Sequence, residues 1–498
     1  MIVLVDLQLV SWWFFFTNYV CLSLNLGVPG RTILTIDRYS HDHNVNYVYP
    51  GTTTRALNIS SYNYLGFAQA RGGCADAVED CISRYGISAG GPRHDGGTLD
   101  LHQQAEKLVA KFVGHEDSML LSMGFATNST TIPALVNKGC LVISDELNHS
   151  SIRFGVRLSG ASVRQYKHND MKSLENLLRE TISQGQPRTH RPWKKILLIV
   201  EGLYSMEGTL VNLPVIMDLK KKYKFYLFVD EAHSIGALGS NGRGVCDYFG
   251  INPRSIDILM GTVTKSFGAA GGYISGSQDL INRLRHRSHG MTYAESMSPP
   301  VLAQIISSLA SIAGVREFMK DDDLVKKEEG HGKLVISQPR PINHDSIPSW
   351  MNLPKDLLDG SEGRDRLRRL AFNARYLSSS LRKMGFIVSG ARDSPIVPLF
   401  IFNPAKLPMF SRLMQGRLSP TAASIVVVVV AYPATPLISG RARFCLSAAH
   451  TKNDIDEILR ACDEVGDILG LKLSRREPKW SVEECIDRAI DLVHSEES

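Results

Sequence analysis

The sequence predicts an α/β protein, with a large domain built on a mainly parallel central sheet and a smaller α+β domain at the C-terminal end. Two observations carry this. Short, wholly apolar runs recur at Cys140–Ile143, Ile196–Val200, Phe225–Val229 and Ile256–Met260, with helical stretches between them. Continuous apolar runs separated by helices mark strands buried on both faces. Each run also ends in polar or glycine residues, at Ser144-Asp145, Glu201-Gly202, Asp230 and Gly261. The carboxyl ends of such strands are where open α/β sheets hold ligands. With 498 residues, 43% hydrophobic and 21% charged, the chain is large enough for a substantial core and two domains.

Residues 1–26 form a hydrophobic segment with one charge, Asp6, and the run Val10–Phe16. It is barely as long as the ~20 apolar residues of a membrane span, and it lacks the basic start of a secretory signal. If it inserts, Arg31 and Arg38 keep the rest of the chain on the cytosolic side. A buried or interfacial hydrophobic arm is the alternative. Residues 27–60 read as an N-terminal arm with short strands, and 61–315 as the large domain. In the latter, Leu101, Ala105, Leu108, Val109 and Phe112 share one face of a helix over Leu99–Gly114. Residues 316–365, with Asp321-Asp322-Asp323 and Lys326-Lys327-Glu328-Glu329, read as a charged insert or linker.

The smaller domain, 366–474, has a helix around Gly363–Lys383 and strands at Ile396–Phe402, Ile425–Ala431 and Arg443–Leu446. A helix then starts at Lys452 behind the cap Thr451. The tail, 475–498, has Ser481 and Glu484 at capping-box spacing, followed by a short amphipathic helix.

Composition excludes some classes of function. The net charge of +6, from 56 Lys+Arg against 50 Asp+Glu, comes without a basic run interleaved with aromatics, so no nucleic-acid partner is expected. The 8 cysteines form no C-x-x-C pair and no His cluster has metal spacing. They read as reduced thiols, with no metal site.

The chemistry concentrates in Asp230-Glu231-Ala232-His233 and the later run Gly261–Gly268, which contains Lys265. A partly buried lysine is pushed toward the neutral amine that attacks an aldehyde. A carboxylate at a buried strand end needs a partner, and a pyridinium N–H is one. Together they point to pyridoxal 5′-phosphate. By itself Lys265 is an ordinary exposed loop lysine, and Asp230 a cap or ion-pair partner; the combination outweighs both readings. His149 follows another strand, where an imidazole can stack on the cofactor and pass a proton. Gly124-Phe125 opens a helix whose first amides suit a phosphate, and Thr262 and Thr264 offer hydroxyls to the same group. On a strand of the smaller domain, Arg441 or Arg443 can grip a carboxylate, and periodicity leaves the choice open.

These segments resemble the α-oxoamine synthase family of fold-type-I pyridoxal-phosphate enzymes and, within it, the lysine-bearing long-chain-base subunits of eukaryotic serine palmitoyltransferases. The resemblance rests on Ser61–Phe67, Met123–Asn128, Ser144–Ser150, Gln186–Lys195, Glu201–Gly208, Asp230–Gly244, Gly261–Ile274, Ala431–Pro436 and Arg443–Thr451. It implies an internal aldimine at Lys265, Asp230 on the pyridine nitrogen, His233 on the ring hydroxyl and His149 over the ring. It further implies Gly124, Phe125, Ser205, Thr262 and Thr264 around the cofactor, and Arg443 and Asn63 toward the substrate. The implied reaction is decarboxylative condensation of L-serine with palmitoyl-CoA. The implied setting is an endoplasmic-reticulum membrane, catalytic part to the cytosol, in a heterodimer with a related lysine-less subunit. Glycine- or alanine-using sister synthases and a non-catalytic scaffold are the alternatives. The chain departs from the family at Gly90–Arg93, which lacks a cysteine-serine pair, at Ser389-Gly390-Ala391 and over Gln415–Ser424.

Overall fold

The computed structural model describes residues 32–36, 49, 51, 53–319, 341–417, 422–432, 434–475 and 479–494. The Met1–Leu26 segment and the charged runs at 321–329 lie outside them. Among the described residues no helix is long and apolar enough to cross a membrane.

Strands β1 (Ile33–Ile36) and β2 (Thr54–Asn58) come first. The middle of the chain supplies β3 (Asp117–Leu121), β4 (Leu141–Asp145), β5 (Ser162–Tyr166), β6 (Ile196–Glu201), β7 (Tyr226–Asp230), β8 (Ile258–Thr262) and β9 (Gly272–Gly276). The last four are β10 (Ile396–Phe400), β11 (Ser424–Val426), β12 (Val428–Val430) and β13 (Arg441–Cys445).

The chain forms two compact units. One comprises Arg71–Tyr204 and Leu210–Leu367; the other takes the described residues up to Ala70, the short segment Ser205–Thr209, and those from Arg368 onward. The expected N-terminal arm thus shares a unit with the C-terminal region, because β2 pairs with β1 on one edge and β11 on the other.

The larger unit holds a seven-stranded sheet in the order β3-β9-β8-β7-β6-β4-β5. β5, β4, β6, β7 and β8 pair in parallel, and β9 runs antiparallel to both β8 and β3. The mainly parallel sheet read from the apolar runs is therefore present, with one reversed strand. Met119, Val142, Ile199, Phe228, Met260 and Ile274 from successive strands meet Ile132, Leu135, Ile152 and Val156 from helices Gly124–Leu135 and Ser150–Ser159 in one buried cluster. Burial of this kind contributes roughly 25 cal/mol per Å² of apolar surface, and it aligns the strand ends that carry the polar residues.

In the smaller unit, β10, β13 and β12 form an antiparallel sheet in the order β10-β13-β12. The valine run expected as one strand is two. Ser424–Val426 pairs with β2, and Val428–Val430 pairs with β13 in another sheet. An all-valine run suits either sheet, so its pattern could not mark the change. Helix Lys452–Leu469 begins with a capping box, in which the Asp454 amide donates to Thr451 Oγ1 at 3.2 Å and the Thr451 amide donates to Asp454 Oδ2 at 2.7 Å. The tail helix is broken into Val482–Asp487 and Ala489–His494.

Candidate active site

Strand β7 delivers Asp230 at its last position, 3% exposed. A buried carboxylate needs donors. Asn128 Nδ2 donates to Oδ2 at 2.7 Å, and the Ala232 amide donates to Oδ1 at 2.9 Å. Asn128 lies on helix Gly124–Leu135 and also donates to Ser151 Oγ at 3.0 Å. Sequence reasoning missed it. Its signal was an amide one turn past Gly124, on a helix otherwise packed against the sheet.

The turn after β7 brings His233 to Lys265, whose Nζ lies 2.8 Å from His233 Nε2. Two features hold this turn. Gly236 takes φ +73°, and a Cβ there would come within 2.3 Å of Ser266 Cβ, so only glycine fits. Ser266 Oγ donates to the Ile235 carbonyl at 2.6 Å. Beside Asp230, Glu231 is fully buried and accepts from the Ser234 hydroxyl and from the Val245 amide at 3.0 Å. Burial pushes its carboxyl up to about 7.

His149 caps helix Ser150–Ser159. Its Nδ1 accepts from the Ser151 amide at 3.2 Å, which leaves the ring proton of the neutral form on Nε2. Its own amide donates to Glu201 Oε1. Desolvation lowers its pKa, as do the Lys265 and Arg153 charges, and the Asp230 carboxylate opposes them. The ring stands edge-on to Phe125, 6.3 Å between centroids.

Gly124 is the first residue of its helix, so its amide and the next ones have no partner within the helix. A Cβ at Gly124 would lie 3.1 Å from Thr262 Oγ1. Thr262 Oγ1 donates to the Gly271 carbonyl at 2.8 Å and lies 3.0 Å from Thr264 Oγ1. Free helix amides beside two hydroxyls form a phosphate cradle.

The larger unit therefore brings together Lys265, His233, Asp230, His149, Gly124, Phe125, Thr262 and Thr264. These residues fit pyridoxal phosphate: a lysine amine for the aldehyde, a buried carboxylate for the ring nitrogen, and a helix N-terminus for the phosphate. Ser205, Asn63 and Arg443 belong to the smaller unit. Ser205 is half-buried in the segment Ser205–Thr209. Asn63 accepts the Ala68 amide at Oδ1, and its carbonyl accepts from Ser447 Oγ. Arg443 is buried on β13, stacks over Tyr62 at 4.8 Å, and reaches the Met206 thioether with Nη1 at 3.4 Å. Its Nε has no hydrogen-bond partner among the described residues.

The profile of the family "Aminotransferase class I and II" matches residues 54–326. Serine palmitoyltransferase 2 of Saccharomyces cerevisiae is 52% identical over 469 residues, covering 93% of this chain and 75% of that protein. Serine palmitoyltransferase 3 of Homo sapiens is 47% identical over 451 residues, covering 90% and 73%. The chain belongs to the serine palmitoyltransferase family. Among solved structures, a serine palmitoyltransferase with a pyridoxal-phosphate internal aldimine superposes with a TM-score of 0.68 at 25% identity, covering 85% of this chain and 90% of that one. Serine palmitoyltransferase of Sphingomonas wittichii gives a TM-score of 0.70 at 22% identity, over 93% and 96%, and shares the fold. This serine palmitoyltransferase family member has the fold-type-I transferase architecture and takes pyridoxal phosphate as its cofactor.

Proposed function

We propose that the chain is the catalytic subunit of a serine C-palmitoyltransferase, condensing L-serine with palmitoyl-CoA to 3-ketodihydrosphingosine, coenzyme A and carbon dioxide, the first step of sphingolipid biosynthesis. The observation that carries the reading is Lys265 Nζ 2.8 Å from His233 Nε2, on the turn that follows the buried Asp230. A scaffold subunit has no use for this arrangement. The names of the relatives support serine and palmitoyl-CoA over the substrates of sister synthases.

Bound pyridoxal phosphate supplies the electron sink that stabilises the carbanion at the serine α-carbon. Asp230 keeps a proton on the ring nitrogen, oriented by Asn128 and the Ala232 amide. His233 holds the ring hydroxyl, and His149, neutral at physiological pH, covers the ring face. The first amides of helix Gly124–Leu135, with Phe125, Thr262 and Thr264, hold the phosphate. Lys265 Nζ binds the aldehyde and then takes and returns protons at the substrate α-carbon. Arg443 takes the serine carboxylate with its spare N–H groups, and Asn63 shapes the substrate side. Fixed orientation of the reacting groups supplies the remaining rate.

The chain works as a heterodimer with a related lysine-less subunit on the endoplasmic-reticulum membrane, catalytic part in the cytosol. The hydrophobic Met1–Leu26 segment and the downstream Arg31 and Arg38 support this setting. The test is co-expression with that subunit and a product assay with serine, glycine or alanine plus palmitoyl-CoA. Serine-derived 3-ketodihydrosphingosine, abolished by Lys265→Ala, is expected. A product formed only from glycine or alanine overturns the substrate, and an unchanged activity in Lys265→Ala overturns the site.

A further inference from the structure

We propose that Arg441 is a positioning residue for substrate carboxylate capture, acting through the main chain of Met206 to brace Arg443. The inference rests on the assignment of Arg443 to the serine carboxylate.

Arg441 and Arg443 are two residues apart on β13, and both are buried, 4% and 6% exposed. Two guanidinium groups within one small unit repel each other and lose hydration, so each needs local compensation. They are compensated differently. Arg441 is occupied by the protein. Its Nη1 donates to the Met206 carbonyl at 3.0 Å and lies 3.5 Å from Glu207 Oε1. Its Nε donates to the Ser439 carbonyl at 3.1 Å, and Phe400 covers it at 4.8 Å. Arg443 is held by weaker partners, the Tyr62 ring, the Met206 sulfur and the Cys445 thiol, and its Nε has none among the described residues. A thioether is a weak acceptor, so a carboxylate displaces it readily. This favours Arg443 over Arg441 for a ligand: Arg443 keeps an unpartnered Nε and a weak thioether contact, while the donors of Arg441 are taken up by the fold.

Met206 joins the two. Its carbonyl meets Arg441, and its sulfur meets Arg443. The segment that carries it is anchored immediately after Met206. Ser389 Oγ donates to the Glu207 carbonyl at 3.1 Å, and the Ala391 amide donates to the Gly208 carbonyl at 2.8 Å. Gly208 takes φ +65°, and a Cβ there would come within 2.7 Å of the Ile396 carbonyl. Such a segment leaves Met206 little freedom once Arg441 holds its carbonyl. Removing that hold lets the thioether drift and frees the Arg443 fork to leave its carboxylate-ready orientation. Binding is then lost for the amino acid but not for the acyl donor.

The test uses the pyridoxal-phosphate-loaded heterodimer and two readouts, the serine dissociation constant from the change in cofactor absorbance and the KM values for serine and palmitoyl-CoA. Arg441→Gln is expected to weaken serine about tenfold, the loss of one hydrogen bond to a charged group, with the palmitoyl-CoA KM unchanged. Arg441→Lys, which still reaches a carbonyl, restores most of the affinity. Met206→Leu added to Arg441→Gln brings no further loss, because the two act in series. Serine affinity within twofold of the parent in Arg441→Gln overturns the proposal. So does an equal rise in both KM values, additive losses in the double variant, or no rescue by lysine in a protein that retains its cofactor band. Arg443→Gln separates the two levels. Unchanged serine affinity there overturns the carboxylate assignment itself, whereas a loss there with none in Arg441→Gln overturns only the role of Arg441.

Discussion

Glu231 adjoins Asp230 in sequence, is fully buried, and has its carboxyl raised from 4.5 to about 7 by burial. Its partners are the Ser234 hydroxyl and the Val245 amide. The native state therefore holds a proton that the unfolded chain releases near pH 4.5. Between those two values the native state binds more protons, so this group's contribution to stability falls as pH rises through the window and is lost above about 7. Integrating over the two pKa values gives a loss of about 2.5 kcal/mol from pH 5 to pH 8 at 1.36 kcal/mol per unit. Glu231→Gln keeps an acceptor for the Val245 amide and has no proton to lose. The parent and this variant are to be unfolded in urea at half-unit steps from pH 5 to pH 8, and the difference between them read at each pH. That difference cancels the contribution of other groups, including the buried His102 and His115, whose pKa values burial lowers to about 4. The variant should gain about 2.5 kcal/mol on the parent across the range. Parallel stability curves would mean that Glu231 is already ionised in the native state, and the burial argument would fail.

Asn128→Leu removes the Nδ2 donor from the buried Asp230 carboxylate and should weaken cofactor binding about tenfold or more, as for a lost hydrogen bond to a charge. Fluorescence titration of cofactor-free protein measures this, and unchanged affinity rules out the orienting role of Asn128. Thr451→Ala removes the cap of helix Lys452–Leu469 and should lower stability by about 1 kcal/mol, with serine affinity unaltered. Thermal unfolding with a parallel serine titration checks both halves of that expectation.

Parts of this fold were legible for a physical reason. Strands β4, β6, β7 and β8 are covered on both faces, which forces continuous apolar runs. β5 is at the sheet edge and exposes Val163, Arg164 and Gln165, so it carries no such run. β9 escaped notice because it opens on glycine. A Cβ at Gly272 would come within 2.6 Å of Thr127 Oγ1 and 2.8 Å of the Gly261 carbonyl, so close packing excludes the side chain that would have marked a strand. In the site, Lys265, Asp230, His233 and His149 could be picked out because each stands at or just past the end of a readable strand. Asn128 was not, since its role depends on a contact 102 residues away in sequence. Ser205 lies in the segment Ser205–Thr209, which belongs to the smaller unit. That exchange of a few residues between units leaves no mark in composition.

The Asp-Glu-Ala-His segment also explains why two adjacent acids can sit at one buried strand end. Two ionised carboxylates side by side in a low-dielectric interior would repel strongly. The structure separates their surroundings instead. Asp230 faces an amide side chain and a backbone N–H, which donate to its two oxygens. Glu231 is sealed against Gly244, where a Cβ would come within 2.1 Å of its Oε2, and Asp230 is among the charges that raise its pKa. Glu231 thus holds the turn that carries His233 and is only partly ionised near pH 7. A second permanent anion there would compete with Asp230 for the ring proton. The separation fails if Glu231→Asp, a shorter acid that no longer reaches the Val245 amide, leaves the pH dependence of the cofactor absorbance unchanged.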